Sequence, residues 1–144
     1  MTGKIIVGID GSEHSLRAVQ WCAQNAGRLG AEVVAVHMID QPVYVGAGPV
    51  PFVVPPLADE QREELVDFAT GTWCGPLADA GVSHRVLVVD GVSAANTIID
   101  IARAEDADLV VVGRRGRGGF AALVLGSTSS QLTHHCDRPL LIVP

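Results

Sequence analysis

The sequence has one lysine, three cysteines and no apolar run near the roughly 18 residues of a membrane span. Its net charge is −6, so it lacks the positive excess that nucleic acids and anionic membranes attract. Cys22, Cys74 and Cys136 are too few and too widely spaced for a disulfide framework or a zinc cluster. We therefore expect reduced thiols in a cytoplasmic protein that binds neither nucleic acid nor membrane.

The length of 144 residues suits one domain, 1–144, which can bury about two-thirds of the surface of its unfolded chain. Apolar residues make up 48 % and charged residues 18 %, which is typical of a globular protein rather than a disordered one. The opening MTGKIIVGID has one lysine and a short apolar run that ends at Asp10, so we expect no signal peptide.

Short apolar runs alternate with helical patterns along the chain. The predicted strands are 4–9, 32–38, 84–89, 108–113 and 140–143. The predicted helices are 13–29, a segment from 57 onward with a break near Gly71 and Gly75, 93–104 and 127–136. In the first helix, the predicted inner face consists of Leu16, Val19, Ala23, Ala26 and Leu29. Segment 41–56 has five prolines, so we expect a surface loop without regular structure there.

Strands that alternate with helices are typical of an α/β fold, with a parallel sheet covered on both faces. Right-handed crossovers make this an open doubly wound sheet, in which ligands bind beyond the carboxyl ends of the strands where the winding reverses. Asp10-Gly11-Ser12 follows the first predicted strand, and a glycine-rich stretch follows the fourth. If both serve one site, these strands are neighbours and the five-stranded order is 3-2-1-4-5.

The glycine-rich stretch GRRGRGGFAALVLGS, residues 113–127, contains five glycines and three of the ten basic residues. Glycines let backbone N–H groups approach an anion, and the helix that begins near Ser127 adds unpaired N–H groups. Arginine suits phosphate because its guanidinium donates two parallel hydrogen bonds. The stretch therefore predicts a phosphate-binding loop.

Three other motifs share features with this stretch. A plain flexible turn before a capped helix has a similar composition, and both interpretations stay open from the loop alone. A Walker loop needs Gly-Lys-Ser/Thr, whereas the single lysine is Lys4. A dinucleotide-binding loop would follow the first strand, and its acidic residue would fall at Asp137, outside any second-strand end. Neither of these two motifs describes the site.

The spacing Gly113-x2-Gly116-x9-Gly126-Ser127 resembles the nucleotide-binding signature of the universal stress protein family. IIVGIDGSEHSLRAVQWC resembles the first strand and helix of that family, and VVAVHMID resembles its second strand. ADLVVVGRRGRGG and LGSTSSQLTHHCDRPLLIVP resemble its last third, so the resemblance covers nearly the whole chain. It implies an open sheet in the order 3-2-1-4-5 and, because many members bind ATP, an ATP site.

The resemblance also implies a role for each matching position. Asp10 would contact the ribose and phosphates, Gly8 would form the pocket floor, and the backbone around Met38 would read the adenine edge. Asp10 is also the candidate ligand for Mg²⁺ bound with ATP. The phosphates would be enclosed by the glycine-rich stretch and the helix start: Gly113, Arg114, Arg115, Gly116, Arg117, Gly118, Gly126, Ser127, Thr128 and Ser129. Arg114 stands where the family commonly has a small hydroxyl residue. Two effects of its side chain stay open, namely tighter binding of the phosphates and obstruction of the phosphate site.

Three histidines are candidates for metal binding or catalysis, but the sequence favours neither role. His134 and His135 are adjacent on a predicted helix and point about 100° apart, so they cannot easily ligate one ion. His37 lies near the expected adenine pocket, where core packing is favoured over catalysis. Nothing in the sequence orients a base toward a serine, so we expect no catalytic residue.

We interpret the sequence as an ATP-binding stress-response module that responds to ATP or ADP and signals to an unidentified protein partner. The alternatives are a slow ATPase or phosphotransferase, and a flavin or other nucleotide carrier on the same sheet. In the order 3-2-1-4-5 the strand 140–143 lies at an edge, and an uncharged apolar edge favours pairing with a second copy. We expect a homodimer through residues 139–144, which the resemblance also implies.

Overall fold

A computed structural model describes residues 3–41, 43–44, 48–49, 52–53, 55–116 and 124–144. The strands are β1 (Gly3–Gly8), β2 (Ala31–Asp40), β3 (Val43–Tyr44), β4 (Phe52–Val53), β5 (His84–Gly91), β6 (Leu109–Gly113) and β7 (Leu140–Val143). Five of them form a parallel sheet in the order β5-β2-β1-β6-β7. Counted along the chain without the short β3 and β4, this order is 3-2-1-4-5, and the predicted sheet is confirmed.

Helices cover both faces of this sheet. They are α1 (Glu13–Leu29), α2 (Asp59–Phe68), a π-helical turn (Ala69–Trp73), α3 (Gly75–Asp79), α4 (Ala94–Ala104) and α5 (Ser127–His135). One core, under α1 and α3, includes Val7 and Ala35, and the other, under α4 and α5, includes Ile6 and Val34. Neighbouring strand residues therefore alternate between two buried faces, which is why the strands are apolar throughout.

The expectation that segment 41–56 has no regular structure is wrong at four residues. Val43–Tyr44 pairs antiparallel with Phe52–Val53 in a small separate sheet. None of the five prolines of the segment occupies these four positions, so their missing N–H groups do not interrupt the pairing.

The buried face of α1 differs from the predicted one. Leu16 and Leu29 are 39 % and 57 % exposed, whereas Ala18 and Cys22 are fully buried beside the predicted Val19 and Ala26. Small side chains on this face let the helix lie close to the strands, and the two leucines lie at its margin. The helix is therefore rotated relative to the stripe of largest apolar residues.

The single lysine lies at the amino end of the sheet. Lys4, in β1, donates to one carboxylate oxygen of Glu105 at 2.8 Å, and Arg85 donates to the other. These hydrogen bonds, from Arg85 and then from Lys4, lower the pKa of Glu105 below its ordinary value. Because this cluster occupies the amino end of the sheet, the lysine is remote from any ligand at the carboxyl edge.

Two of the cysteines belong to the core. Burial raises the pKa of Cys22 to about 12 and that of Cys74 to about 11. Their thiols are therefore protonated at neutral pH and are poor nucleophiles. Among the described helices, none has both the length and the apolar character needed to cross a membrane.

Candidate functional site

The turn after β1 holds a carboxylate at the carboxyl edge of the sheet. Gly11 has a φ of 76°, a left-handed conformation that glycine adopts without strain. The Asp10 carboxylate accepts a hydrogen bond from the Ser12 N–H at 2.9 Å, and the Asp10 N–H donates to the Ser15 hydroxyl at 3.1 Å. The Ser12 hydroxyl in turn caps α1 by accepting from the Ser15 N–H at 3.2 Å. These local bonds order the turn that carries Asp10.

The backbone of Arg114 connects the loop after β6 to two other elements. Its N–H donates to the Val143 carbonyl of β7 at 2.7 Å. Its carbonyl accepts from the Gly126 N–H at 2.8 Å and from the Ser129 hydroxyl at 2.7 Å. The start of the glycine-rich stretch is thereby held against the start of α5.

The N-terminus of α5 differs from those of its neighbours α1 and α4. Serine side chains cap α1 and α4, where Ser12 and Ser93 accept bonds from the first-turn N–H groups. The corresponding residue of α5 is Gly126, which has no side chain to accept such bonds. Backbone N–H groups of Ser127 and Thr128, together with the positive end of the helix dipole, are therefore suited to an anion.

These elements enclose a cleft of about 790 Å³ beyond the carboxyl ends of β1, β2 and β6. Its volume falls within the roughly 300–1,000 Å³ that is usual for small-molecule sites. Ten residues predicted for the site line it: Gly8, Asp10, Met38, Gly113, Arg115, Gly116, Gly126, Ser127, Thr128 and Ser129. Arg114 is described but is not among the lining residues, and Arg117 and Gly118 lie outside the described part of the chain.

Gly113 and Gly116, which both line the cleft, are glycines for different structural reasons. A methyl group on Gly113 would lie 2.5 Å from the backbone carbon of His14, so this glycine lets α1 approach β6. A methyl group on Gly116 would lie 2.5 Å from a carboxylate oxygen of Asp10, so the loop after β6 contacts the turn after β1 at this position. Gly113 is thus required by packing, whereas Gly116 brings two parts of the cleft together.

Apart from the region around Met38, the sequence did not identify the apolar side of the cleft, which β2, β6 and α4 form. Its wall includes Val36, Ala95, Ile98 and Val112, and the other lining residues that were not predicted as binding residues are Ile9, Ser15, His37, Asp40, Val92, Ser93, Ala94 and Gln131. The Ser93 hydroxyl donates to the Gln131 side-chain oxygen at 3.5 Å and connects α4 to α5. Asp40 and Ser93 follow the carboxyl ends of predicted strands, and that position was the signal that could have identified them.

The polar groups of the cleft suit a nucleotide better than a metal ion alone. In the described part of the chain, no group of three or more His, Cys, Asp or Glu side chains could hold a metal. The lining combines the carboxylates of Asp10 and Asp40, the guanidinium of Arg115 and the α5 N-terminus. Mg²⁺ commonly takes one or two carboxylates and completes its shell with phosphate oxygens and water. Asp10 therefore fits as a single protein ligand beside bound phosphates.

Comparison with known proteins identifies the family. Residues 1–144 match the sequence profile of the universal stress protein family. The chain belongs to this family. It is 34 % identical over 144 residues to a universal stress protein of Mycolicibacterium smegmatis, covering 96 % of this chain and 47 % of that protein. It is 30 % identical over 145 residues to one of Methanocaldococcus jannaschii, covering 97 % of this chain and 81 % of that one. The chain thus spans about half the length of the first of these relatives.

Solved universal stress protein structures share the fold. One, in complex with cAMP, superposes with a TM-score of 0.68 at 23 % identity, covering 99 % of this chain and 96 % of that one. The universal stress protein from Archaeoglobus fulgidus in complex with dAMP superposes with a TM-score of 0.68 at 17 % identity, covering 100 % of this chain and 98 % of that one. A family member from Arabidopsis thaliana with AMP bound superposes with a TM-score of 0.63 at 17 % identity, covering 98 % of this chain and 90 % of that one. Likeness at these identities establishes the architecture of this chain.

Proposed function

We propose that this universal stress protein binds an adenine nucleotide, ATP in particular, in the cleft and acts as a nucleotide-dependent stress-response module. One observation carries the proposal: the α5 N-terminus, without a capping side chain, opens into the same cleft as an apolar wall from β2, β6 and α4. An anion site next to an apolar slot suits a phosphate joined to a base. The structures of relatives with cAMP, dAMP and AMP support this choice of ligand.

In this proposal each part of the nucleotide has its own residues. The N–H groups of Ser127 and Thr128 and the guanidinium of Arg115 bind the phosphates, and Asp10 accepts hydrogen bonds from the ribose. The adenine lies against Val36, Met38 and the α4 residues of the wall. Ser129 holds the loop after β6 against α5 and does not bind the phosphates through its hydroxyl, because that hydroxyl already donates to the Arg114 carbonyl. Arg114 likewise acts through its backbone.

The proposal favours binding and signalling over fast turnover. Phosphoryl transfer usually combines a bound metal, a placed cation and a residue that positions the nucleophile. The single lysine is paired with Glu105 at the opposite end of the sheet, so it cannot act as a phosphate clamp. The three cysteines are free thiols, which suits a reducing compartment, and the cytoplasm is the location that we propose.

Saturating ATP is expected to stabilise the protein. At about 100 times its dissociation constant, a ligand that binds only the folded state adds roughly 2.7 kcal/mol, or several degrees in melting temperature. Thermal unfolding with ATP, ADP, AMP, cAMP and GTP tests this, with GTP as the control for a different base. If none of the adenine nucleotides moves the melting curve, the proposal fails. Phosphate release at about 10 per second would instead indicate an enzyme.

We also propose that the protein forms a homodimer through residues 139–144, because β7 is the last strand of the sheet. The Val110 N–H donates to the Pro139 carbonyl and the Arg114 N–H to the Val143 carbonyl. In a parallel ladder, alternate residues bond to the same neighbour, so Leu140 and Ile142 turn their backbone groups to the open edge. These groups are available to a second copy related by a two-fold axis.

Light scattering is expected to give about 30 kDa, twice the 15.0 kDa of one chain. Ile142→Pro removes an outward N–H and is expected to give monomers, since proline at this position leaves the β6 ladder intact. Ile142→Ala is the matched control, because it also removes the side chain but keeps the N–H, and it should remain dimeric. A dimer that persists in Ile142→Pro would place the interface elsewhere.

A further inference from the structure

His37 lies on β2 and lines the cleft, and its ring is held by two contacts that the proposed function does not use. Its Nδ1 is 2.9 Å from the carbonyl oxygen of Ile9. Its ring lies edge-on to that of Trp73, with centroids 5.0 Å apart and planes inclined by 68°. Trp73 belongs to the π-helical turn and itself packs edge-on against Phe68 at 5.7 Å. The imidazole is therefore fixed from the α2 side.

The bond to Ile9 determines the tautomer of the ring. A carbonyl oxygen only accepts, so the proton must be on Nδ1, and the neutral ring then has an unprotonated Nε2. The N–H of Ile9 also donates to the carbonyl of Val36 at 2.9 Å. Consecutive residues of β2, one through its backbone and one through its side chain, thus hold both backbone groups of Ile9.

Ile9 stands at the point where the chain leaves the sheet. β1 ends at Gly8, and the turn that begins at Asp10 leads into α1. A carbonyl group at such a point has no backbone N–H partner in the β-ladder. For Ile9, the imidazole N–H of His37 is the partner instead. Because Ile9 directly precedes Asp10, any shift of the Ile9 peptide moves the carboxylate at the edge of the cleft.

We propose that His37 is a positioning residue for Asp10, which it holds in place through the Ile9 carbonyl. This inference rests on the proposed function, in which Asp10 binds the ribose of the nucleotide. The Nδ1–H supplies the hydrogen bond, and the edge contact with Trp73 keeps the ring in the orientation that makes it. His37 affects ligand affinity without touching the ligand through this nitrogen.

Two variants separate the hydrogen bond from the bulk of the ring. His37→Leu removes the donor, and His37→Asn keeps an N–H the same number of bonds from the backbone. We expect His37→Leu to lower ATP affinity about tenfold, the factor for one hydrogen bond, and His37→Asn to stay within about threefold of the wild type. Isothermal titration calorimetry on the full chain measures both affinities. Wild-type affinity in folded His37→Leu, or equal losses in both variants, would overturn the proposal.

Nuclear magnetic resonance on the wild-type chain without ligand provides an independent test. Long-range ¹⁵N–¹H spectra should show a proton on Nδ1 of His37, and a ring protonated only at Nε2 would refute the positioning role even if no variant folds. Amide exchange at Asp10, Gly11 and Ser12 should be faster in His37→Leu than in His37→Asn. If the wild-type protein binds no nucleotide, the proposed function fails, whereas the tautomer and the exchange rates still decide the role of His37.

Discussion

Replacing Gly113 with alanine is expected to destabilise the protein by about 3 kcal/mol, the upper part of the usual range for overpacked cores. The added methyl group would lie 2.5 Å from the backbone carbon and 2.6 Å from the carbonyl oxygen of His14. His14 belongs to the first turn of α1, so relief of this contact requires the helix to move away from β6. Urea unfolding measured by circular dichroism should show a lower midpoint.

Gly27→Ala is the matched control for this experiment. Gly27 lies inside α1, and an added methyl group would meet no atom within 4 Å. It should stabilise the protein by about 0.5–1 kcal/mol, because alanine loses less backbone entropy in a helix. Equal midpoints for Gly113→Ala and the wild type would contradict the packing role. That outcome would instead favour the phosphate-binding role that the family resemblance implies for Gly113.

Ser127→Pro is expected to lower ATP affinity between about tenfold and a hundredfold, which corresponds to one hydrogen bond to a charged group. Ser127 is the first residue of α5, where proline is well tolerated because its missing N–H has no partner within the helix. Gly126 before it has a φ of −72° and a ψ of 170°, an extended conformation that proline permits in its predecessor. The substitution therefore removes a proposed phosphate donor and keeps the helix.

Ser127→Ala distinguishes the backbone donor from the hydroxyl. It keeps the N–H and removes only the side-chain oxygen, so its affinity for ATP should stay within a few-fold of the wild type. Thermal unfolding of both variants without ligand checks that α5 still packs against the sheet. Wild-type affinity in a folded Ser127→Pro would show that the α5 N-terminus does not bind the phosphates.

Much of the cleft could be predicted because its groups lie in two short segments. Asp10 directly follows one strand, and Gly113, Gly116, Gly126 and Ser127 occupy a single loop and helix start. The strand order followed from the requirement that both segments serve one site. Asp40 and Ser93 escaped prediction, because their position after predicted strands was a signal without any accompanying motif. It became specific only once α4 was known to line the cleft.

The functions of individual side chains were harder to predict than their positions. Arg114 carries a charge that suggests phosphate binding, yet its backbone bonds to Val143, Gly126 and Ser129 fix the loop. His37 seemed a packing residue, and its bond to Ile9 depends on where β1 leaves the sheet. In both cases the partner lies far away in the chain, so no local pattern contains the information.

The sequence by itself determined the α/β class and the five strands of the parallel sheet, because these depend on local periodicity. Its prediction of an anion-binding loop came from the conformations that glycine permits. Tertiary structure decided which face of α1 is buried, since close approach to the sheet selected Ala18 and Cys22 over Leu16 and Leu29. It also decided that Gly113 serves packing, because the constraint comes from His14 at the start of another element. Contacts between distant segments depend on how whole elements pack, and that packing minimises the free energy of the complete chain.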